Sequence, residues 1–205
     1  MPKIKLSKHE LKRQRDSLEQ FLHYLPTLQL KKQQLQIKIF QIRTELEKKQ
    51  ETFQAIREDI LTWIGLLADP GIDIKKWIIP QEMRVETQNI AGADIPVFHA
   101  LVFAPMDYDL YLMPFWVDSA IEKTRAFCSL LVEMHVIEKQ VAILHKELMI
   151  TTQRVNLFEK VKIPECVENI RTIRIYLGDQ QANAVGVSKV AKRKIEKAVL
   201  AEALA

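Results

Sequence analysis

One heptad phase runs unbroken from Leu11 to Leu67, and this feature restricts the fold more than any other. Its a positions are Leu11, Leu18, Leu25, Lys32, Ile39, Leu46, Phe53, Ile60 and Leu67. Its d positions are Gln14, Phe21, Leu28, Leu35, Ile42, Lys49, Ile56 and Trp63, and 14 of the 17 are apolar. A seam carried so far past three or four heptads predicts a coiled coil. At ~1.5 Å per residue the helix would be about 90 Å long, more than a small domain is wide. Another long helix must therefore cover it. Ser7 and Glu10 stand in the Ser-x-x-Glu order of a capping box, which marks the start. Pro26 removes an amide inside the helix and predicts a kink rather than a break, since the phase is the same on both sides. Asp69, Pro70 and Gly71 give a stop signal.

A second phase begins after Asp118, a candidate N-cap. Its a positions are Phe127, Met134, Val141, Leu148 and Val155, its d positions Leu130, Ile137, Leu144, Thr151 and Phe158, and nine of the ten are apolar. Beyond Pro164, Cys166, Ile170, Ile173 and Leu177 keep helical spacing, and small residues at Ala184 and Ala191 predict a thinner seam. Gly178 and Gly186 each weaken the helix there by ~1 kcal/mol relative to alanine. The two phases satisfy each other by folding back as an antiparallel coiled coil. Residues 10–30 then lie along the last third of the chain, and residues 45–65 along the region after Asp118. The same arrangement brings basic Lys8, Lys12 and Arg13 beside Lys189, Lys192 and Arg193.

Between the rods the pattern turns β-like. Trp77–Thr87 and Ile95–Phe103 are rich in Trp, Ile, Val and Phe, and Gln88–Asp94 separates them, which predicts a hairpin with a longer loop. Pro80 and Pro96 imply unpaired edges on both strands, because proline cannot donate to a ladder. A lone hairpin is marginal in water and must pack on something. The expected organisation is mainly α: an N-terminal coiled-coil helix over 1–68, a central insert with a β-hairpin over 69–117, and a C-terminal coiled-coil helix with a basic tail over 118–205. The insert would form a small head at one end.

The remaining features narrow the function classes. Only five glycines occur in 205 residues, and none forms a GxxxxGK[ST], GxGxxG or GxSxG motif, so phosphate-cradling loops and nucleophile elbows lack their parts. His9, His23, His99, His135 and His145 never fall at i, i+4, and Cys128 and Cys166 form no CxxC pair, so no metal site or cofactor is expected. A two-helix rod offers no dry concave pocket, and the chain is not expected to be an enzyme. The net charge of +4 is modest and concentrated at the termini. It leaves a generic coiled-coil scaffold or a nucleic-acid-binding arm as the alternative function, although no aromatic residues alternate with the lysines to stack bases. No apolar run reaches the ~20 residues of a membrane span and the start has no signal-peptide core, so a cytoplasmic protein that meets a membrane only through partners is expected.

Arg154-Val155-Asn156-Leu157-Phe158-Glu159, followed by Ile163 and Pro164, resembles the Arg-Val-Asn-Ala-Leu-Glu signature and later proline of the D-subunit family of A/V-type rotary ATPases. Leu6, Lys8 and Leu11 are similar to the family's opening. Leu28, Lys31, Lys32 and Leu35 match its basic Leu-Leu-Lys-x-Lys-Arg-Asp-x-Leu segment, from which Thr27, Gln29 and Gln33 depart. Asn89-Ile90-Ala91-Gly92 with Ile95-Pro96 resembles its Asn-Ile-Met-Gly and Val-Pro loop, Leu144, Glu147 and Leu148 its Leu-x-x-Glu-Ile, and Lys189 and Lys192 its late Lys-x-x-Lys. Gly178 and Asn183 occupy a stretch usually rich in Glu and Arg. The resemblance implies a non-catalytic rotor shaft that couples ATP synthesis or hydrolysis to ion transport. The implied partners are a hexamer of catalytic and non-catalytic subunits, a small F subunit and a cup-like subunit above a membrane ring. It also implies partner contacts at Lys31, Lys32, Arg154, Asn156, Glu159, Lys189 and Lys192.

Overall fold

The computed structural model describes residues 4–68, 74–107 and 113–203. Helix α1 spans Lys8–Trp63 and passes into a 3₁₀ turn, Ile64–Ala68. A short α2 (Lys75–Ile78) precedes strands β1 (Pro80–Ile90) and β2 (Ala93–Phe103). Helix α3 (Trp116–Leu157), one π-turn (Phe158–Lys162) and α4 (Ile163–Ala203) complete the chain. Two long helical arms separated by an antiparallel hairpin confirm the mainly α reading. The expected stop at Asp69–Gly71 lies outside the described residues. Two compact units divide the chain, Leu30–Thr152 and the pair of segments Met1–Gln29 and Gln153–Ala205.

The heptad phases hold at every position. All 17 a and d residues of the first frame and all ten of the second are buried or half-buried. Helix α1 begins on the Ser7 hydroxyl, which accepts the Glu10 amide at 3.2 Å. The capping box is only half closed, because the Glu10 carboxylate turns along the helix to accept from Gln14 Nε2 at 2.8 Å. Pro26 lies inside α1, which continues through it. Helix α3 starts at Trp116, where the Val117 amide reaches the Pro114 carbonyl, so Asp118 sits in the first turn rather than at the cap. A carboxylate there still complements the helix dipole.

Within the Leu30–Thr152 unit, α1 and α3 are antiparallel. Lys49 Nζ meets Glu133 Oε2 at 3.0 Å, Phe53 stacks on Phe127 at 4.7 Å, and Lys123 Nζ meets Asp59 Oδ2 at 2.6 Å. The hairpin does not form a head at the end of these helices. It lies along them, its tip placing Ala93 and Ile95 in one core with Leu35, Ile39, Ile42, Ile137 and Leu144. The reason is visible on α3, whose buried band is wider than a and d and includes Val136 and Gln140. A helix with a second covered face needs a third element, and β2 supplies it. At the hairpin's base Arg125 donates from Nε to the Trp77 carbonyl at 2.8 Å and from Nη2 to the Ala104 carbonyl at 2.5 Å, while its guanidinium lies 5.1 Å from the centre of the Phe103 ring.

The hairpin loop is also shorter than expected. Ala91 and Gly92, with φ of 51° and 79°, form a two-residue turn, so the strands reach Ile90 and Ala93. Positive φ at both positions matches the twist of a hairpin. Alanine is a costly residue there, and the Asn89 side chain helps hold the turn by accepting the Gly92 amide at 3.1 Å and donating to Asp94 Oδ1 at 2.5 Å.

In the other unit, α1 and α4 are antiparallel over a shorter stretch. Asn169 Nδ2 donates to Gln14 Oε1 at 3.4 Å, and the Phe21 and Phe158 rings lie 5.0 Å apart. The buried stripe runs through Val155, Cys166, Ile170 and Ile173 and ends at half-buried Leu177. Every residue from Gly178 to Val199 is exposed. The basic segment Lys189–Arg193 thus stands on uncovered helix well past the level of Lys8–Arg13, and the expected meeting of basic tips does not occur. The cause is arm length: α4 continues for many turns after the residues that pair with the start of α1.

Candidate functional site

The partner-contact residues singled out in the sequence lie on three separate stretches of helix. Lys31 faces inward, its Nζ 3.8 Å from Glu147 Oε2 and beside Gly92 at the hairpin tip. Lys32 is half-buried at a seam position. Both belong to the internal packing of the Leu30–Thr152 unit, with the Lys31 charge answered across the seam.

Arg154, Asn156 and Glu159 are all exposed, while Val155 and Phe158 between them point into the seam. The local geometry is unusual. From Phe158 to Lys162 the helix widens to a π-turn in which the Ile163 amide reaches the Phe158 carbonyl five residues back. Pro164 comes next and has no amide to give, so a widened turn just ahead of it accommodates the ring. The extra residue of a π-turn rotates the helix downstream of it. The d position at Phe158 is succeeded by buried Cys166, eight residues on instead of seven, and Ile170, Ile173 and Leu177 keep the new phase. The turn displays Leu157 and Val161 outward beside the exposed polar residues.

Lys189 and Lys192 lie on the uncovered part of α4, Lys192 pairing with Glu196 of the same helix at 3.9 Å. Val185, Val187, Val190, Ile195 and Val199 are exposed around them, Val187 by 69%. Closer to the paired region, an open groove between α1 and α4 is lined by Leu18, Leu22, Ile170 and Ile175 together with Arg15, Glu19, Arg171 and Arg174.

Burial pushes the Cys128 thiol up, and burial with the neighbouring Glu165 raises Cys166 against the opposing effect of Lys162, so both stay protonated and poorly nucleophilic at neutral pH. Among the described residues no group of three His, Cys, Asp or Glu side chains is placed to hold a metal, and no helix is long and apolar enough to cross a membrane.

The family model for the D subunit of ATP synthase matches residues 10–193. The V-type ATP synthase D subunit of Borreliella burgdorferi is 43% identical over 96% of this chain and 97% of its own length. The proteins of the same name from Chlamydia caviae and Chlamydia abortus are 33% and 32% identical, each over 94% of both chains.

Proposed function

Because the chain belongs to the family of ATP synthase D subunits, we propose that it is the non-catalytic central shaft of a V/A-type ATP synthase, carrying torque between a hexamer of catalytic and non-catalytic subunits and a membrane ring. The observation that carries this reading is the uncovered helix from Gly178 to Val199. Exposed valines and an isoleucine there alternate with Lys189, Lys192, Arg193, Lys194 and Lys197. A solitary helix gains nothing from exposing apolar residues, whereas a sleeve formed by the hexamer would cover them and offset their charge. The seams supply the mechanical property. Each knob must leave its hole before one helix can slide past the other, so a twist applied at one end is transmitted instead of dissipated.

In this reading Arg154 and Asn156 at the end of α3 and Glu159 on the π-turn, with Lys189 and Lys192 farther along α4, meet the hexamer. The central insert of residues 69–117 faces the small F subunit and the cup-like subunit, and the membrane is met only through those partners. The test is ATP-driven rotation of a bead attached to this chain in the assembled hexamer. Intact chain is expected to turn the bead, and chain truncated after Leu177 to let hydrolysis proceed with slippage under load. Hydrolysis that never turns the intact chain would sink the reading.

A further inference from the structure

We propose that the free edge of β1 is a docking site for an extended strand of a partner protein, which pairs with the backbone at Val85, Thr87 and Asn89. The argument starts from the turn. A two-residue turn makes Ile90 and Ala93 a hydrogen-bonded pair, and pairs alternate from there along an antiparallel ladder. Gln88 with Ile95 and Glu86 with Val97 are then bonded, while Asn89 with Asp94, Thr87 with Pro96 and Val85 with Phe98 are not. Pro96 confirms this phase independently. It has no amide, and its carbonyl accepts from Gln140 Nε2 at 2.6 Å, so its backbone faces α3 and away from β1.

The two edges of the hairpin therefore differ. On β2 the outward backbone at Pro96 lacks a donor and its acceptor is taken, and Ala93 and Ile95 are buried beside it. That edge is interrupted at its middle. On β1 the outward amides and carbonyls belong to Val85, Thr87 and Asn89, and ten of the strand's eleven residues are exposed. Among the described residues no backbone or side-chain hydrogen bond from another element reaches this edge. No lysine or proline blunts it between Gln81 and Ile90.

The side chains state the occupant's chemistry. Met83 and Val85, 53% and 37% exposed, share one face of β1, and Glu82, Arg84 and Glu86 share the other. A complementary strand carries apolar or β-branched residues beside Met83 and Val85; on the other face Arg84 already lies 3.6 Å from Glu82 and Glu86 2.9 Å from His99, so short polar residues suit the partner there. Its addition would turn a two-stranded ribbon, the least stable kind of sheet, into a three-stranded one.

The proposal rests on the shaft reading only for where the partner is sought, among the other subunits of the ATPase. The test is residue-resolved amide exchange on the full chain, free and in the co-expressed complex. Thr87 and Asn89 amides are expected to slow by about 100-fold or more on assembly, while those of Glu86 and Gln88, already bonded to β2, change little. Thr87→Pro removes the outward amide without touching a β1–β2 bond. It should retain the parent's melting curve yet recover roughly tenfold less of the complex, and Thr87→Val should recover it fully. An assembled complex in which Thr87 and Asn89 exchange as fast as in the free chain overturns the edge proposal and leaves the shaft reading standing. Protection that accompanies a dimer of the free chain in sedimentation overturns the partner strand in favour of a second copy. Failure of the chain to join the complex overturns both.

Discussion

The Leu30–Thr152 unit and the unit formed by the two ends use the same two-helix seam and obtain different depths of burial from it. In the first, β2 covers a second face of α3, and Leu35, Ile39, Ile42, Ile137 and Leu144 are buried together with Ala93 and Ile95. In the second, α4 buries Val155, Cys166, Ile170 and Ile173, but their neighbours on α1, such as Leu11, Leu18 and Phe21, remain half-exposed. Two helices shelter a strip about one residue wide, and depth requires a third element. Local stability should fall accordingly from the first unit to the second, and again past Leu177, where the helix has no cover in its own chain.

The largest effect should come from charging the deeper core. Leu144→Asp places a carboxylate among buried apolar side chains, and denaturant unfolding followed by helix circular dichroism is expected to show a loss of about 4 kcal/mol or more. Truncation separates the two units more finely. Leu144→Ala should lose about 3 kcal/mol, and Leu18→Ala, half-buried in the two-helix seam, about 1. Equal losses at the two sites would abolish the distinction between them.

Arg125→Ala probes the hairpin's attachment. It leaves the Trp77 and Ala104 carbonyls without their donors and removes the contact with Phe103, for a loss of about 2 kcal/mol and faster amide exchange at the hairpin's base. Arg125→Lys should not restore the parent value, because one ammonium cannot reproduce the fork that reaches two carbonyls. Full rescue by lysine would mean that charge alone holds the base.

The seams were legible because a long heptad run has few solutions, and no a or d residue is out of place. Where the insert docks was harder to read, since periodicity says which face of a helix is covered and not by what. Even so, apolar Val136 and Ile143 beside the α3 seam were a sign of a second covered face. The tight turn was missed because alanine at positive φ is no turn signal, although Asn89 three residues before Gly92 was one. The overhang of α4 is a consequence of the unequal arms flanking the insert. As for the expected partner contacts, Lys31 pairs with Glu147 inside the fold and Lys32 is half-buried at its a position, neither of which a basic motif in the sequence reveals. The β1 edge carries no motif at all, because backbone groups have no letter in the sequence.

The smallest predicted effect tests the π-turn. Eight residues from Phe158 to Cys166, against seven between earlier d positions, record one inserted residue, and the widened turn at Phe158–Lys162 absorbs it. Deleting one residue from a coiled-coil helix ordinarily rotates the downstream helix by about 100° and takes the apolar stripe off its partner. Deleting Lys160 should instead restore a seven-residue step and leave Cys166, Ile170 and Ile173 facing α1. The deletion alone still carries a penalty of about 3 kcal/mol, because Pro164 would then sit in an unwidened helix with its ring against a carbonyl. Combined with Pro164→Ala, that penalty disappears, and the double variant should unfold within about 0.5 kcal/mol of the parent. Deleting Lys146, within α3 where no extra residue exists, is the control and should disrupt the seam. If the Lys160 deletion with Pro164→Ala is as damaging as the Lys146 deletion, the eight-residue step is not an insertion that the π-turn absorbs, and the phase shift needs another cause.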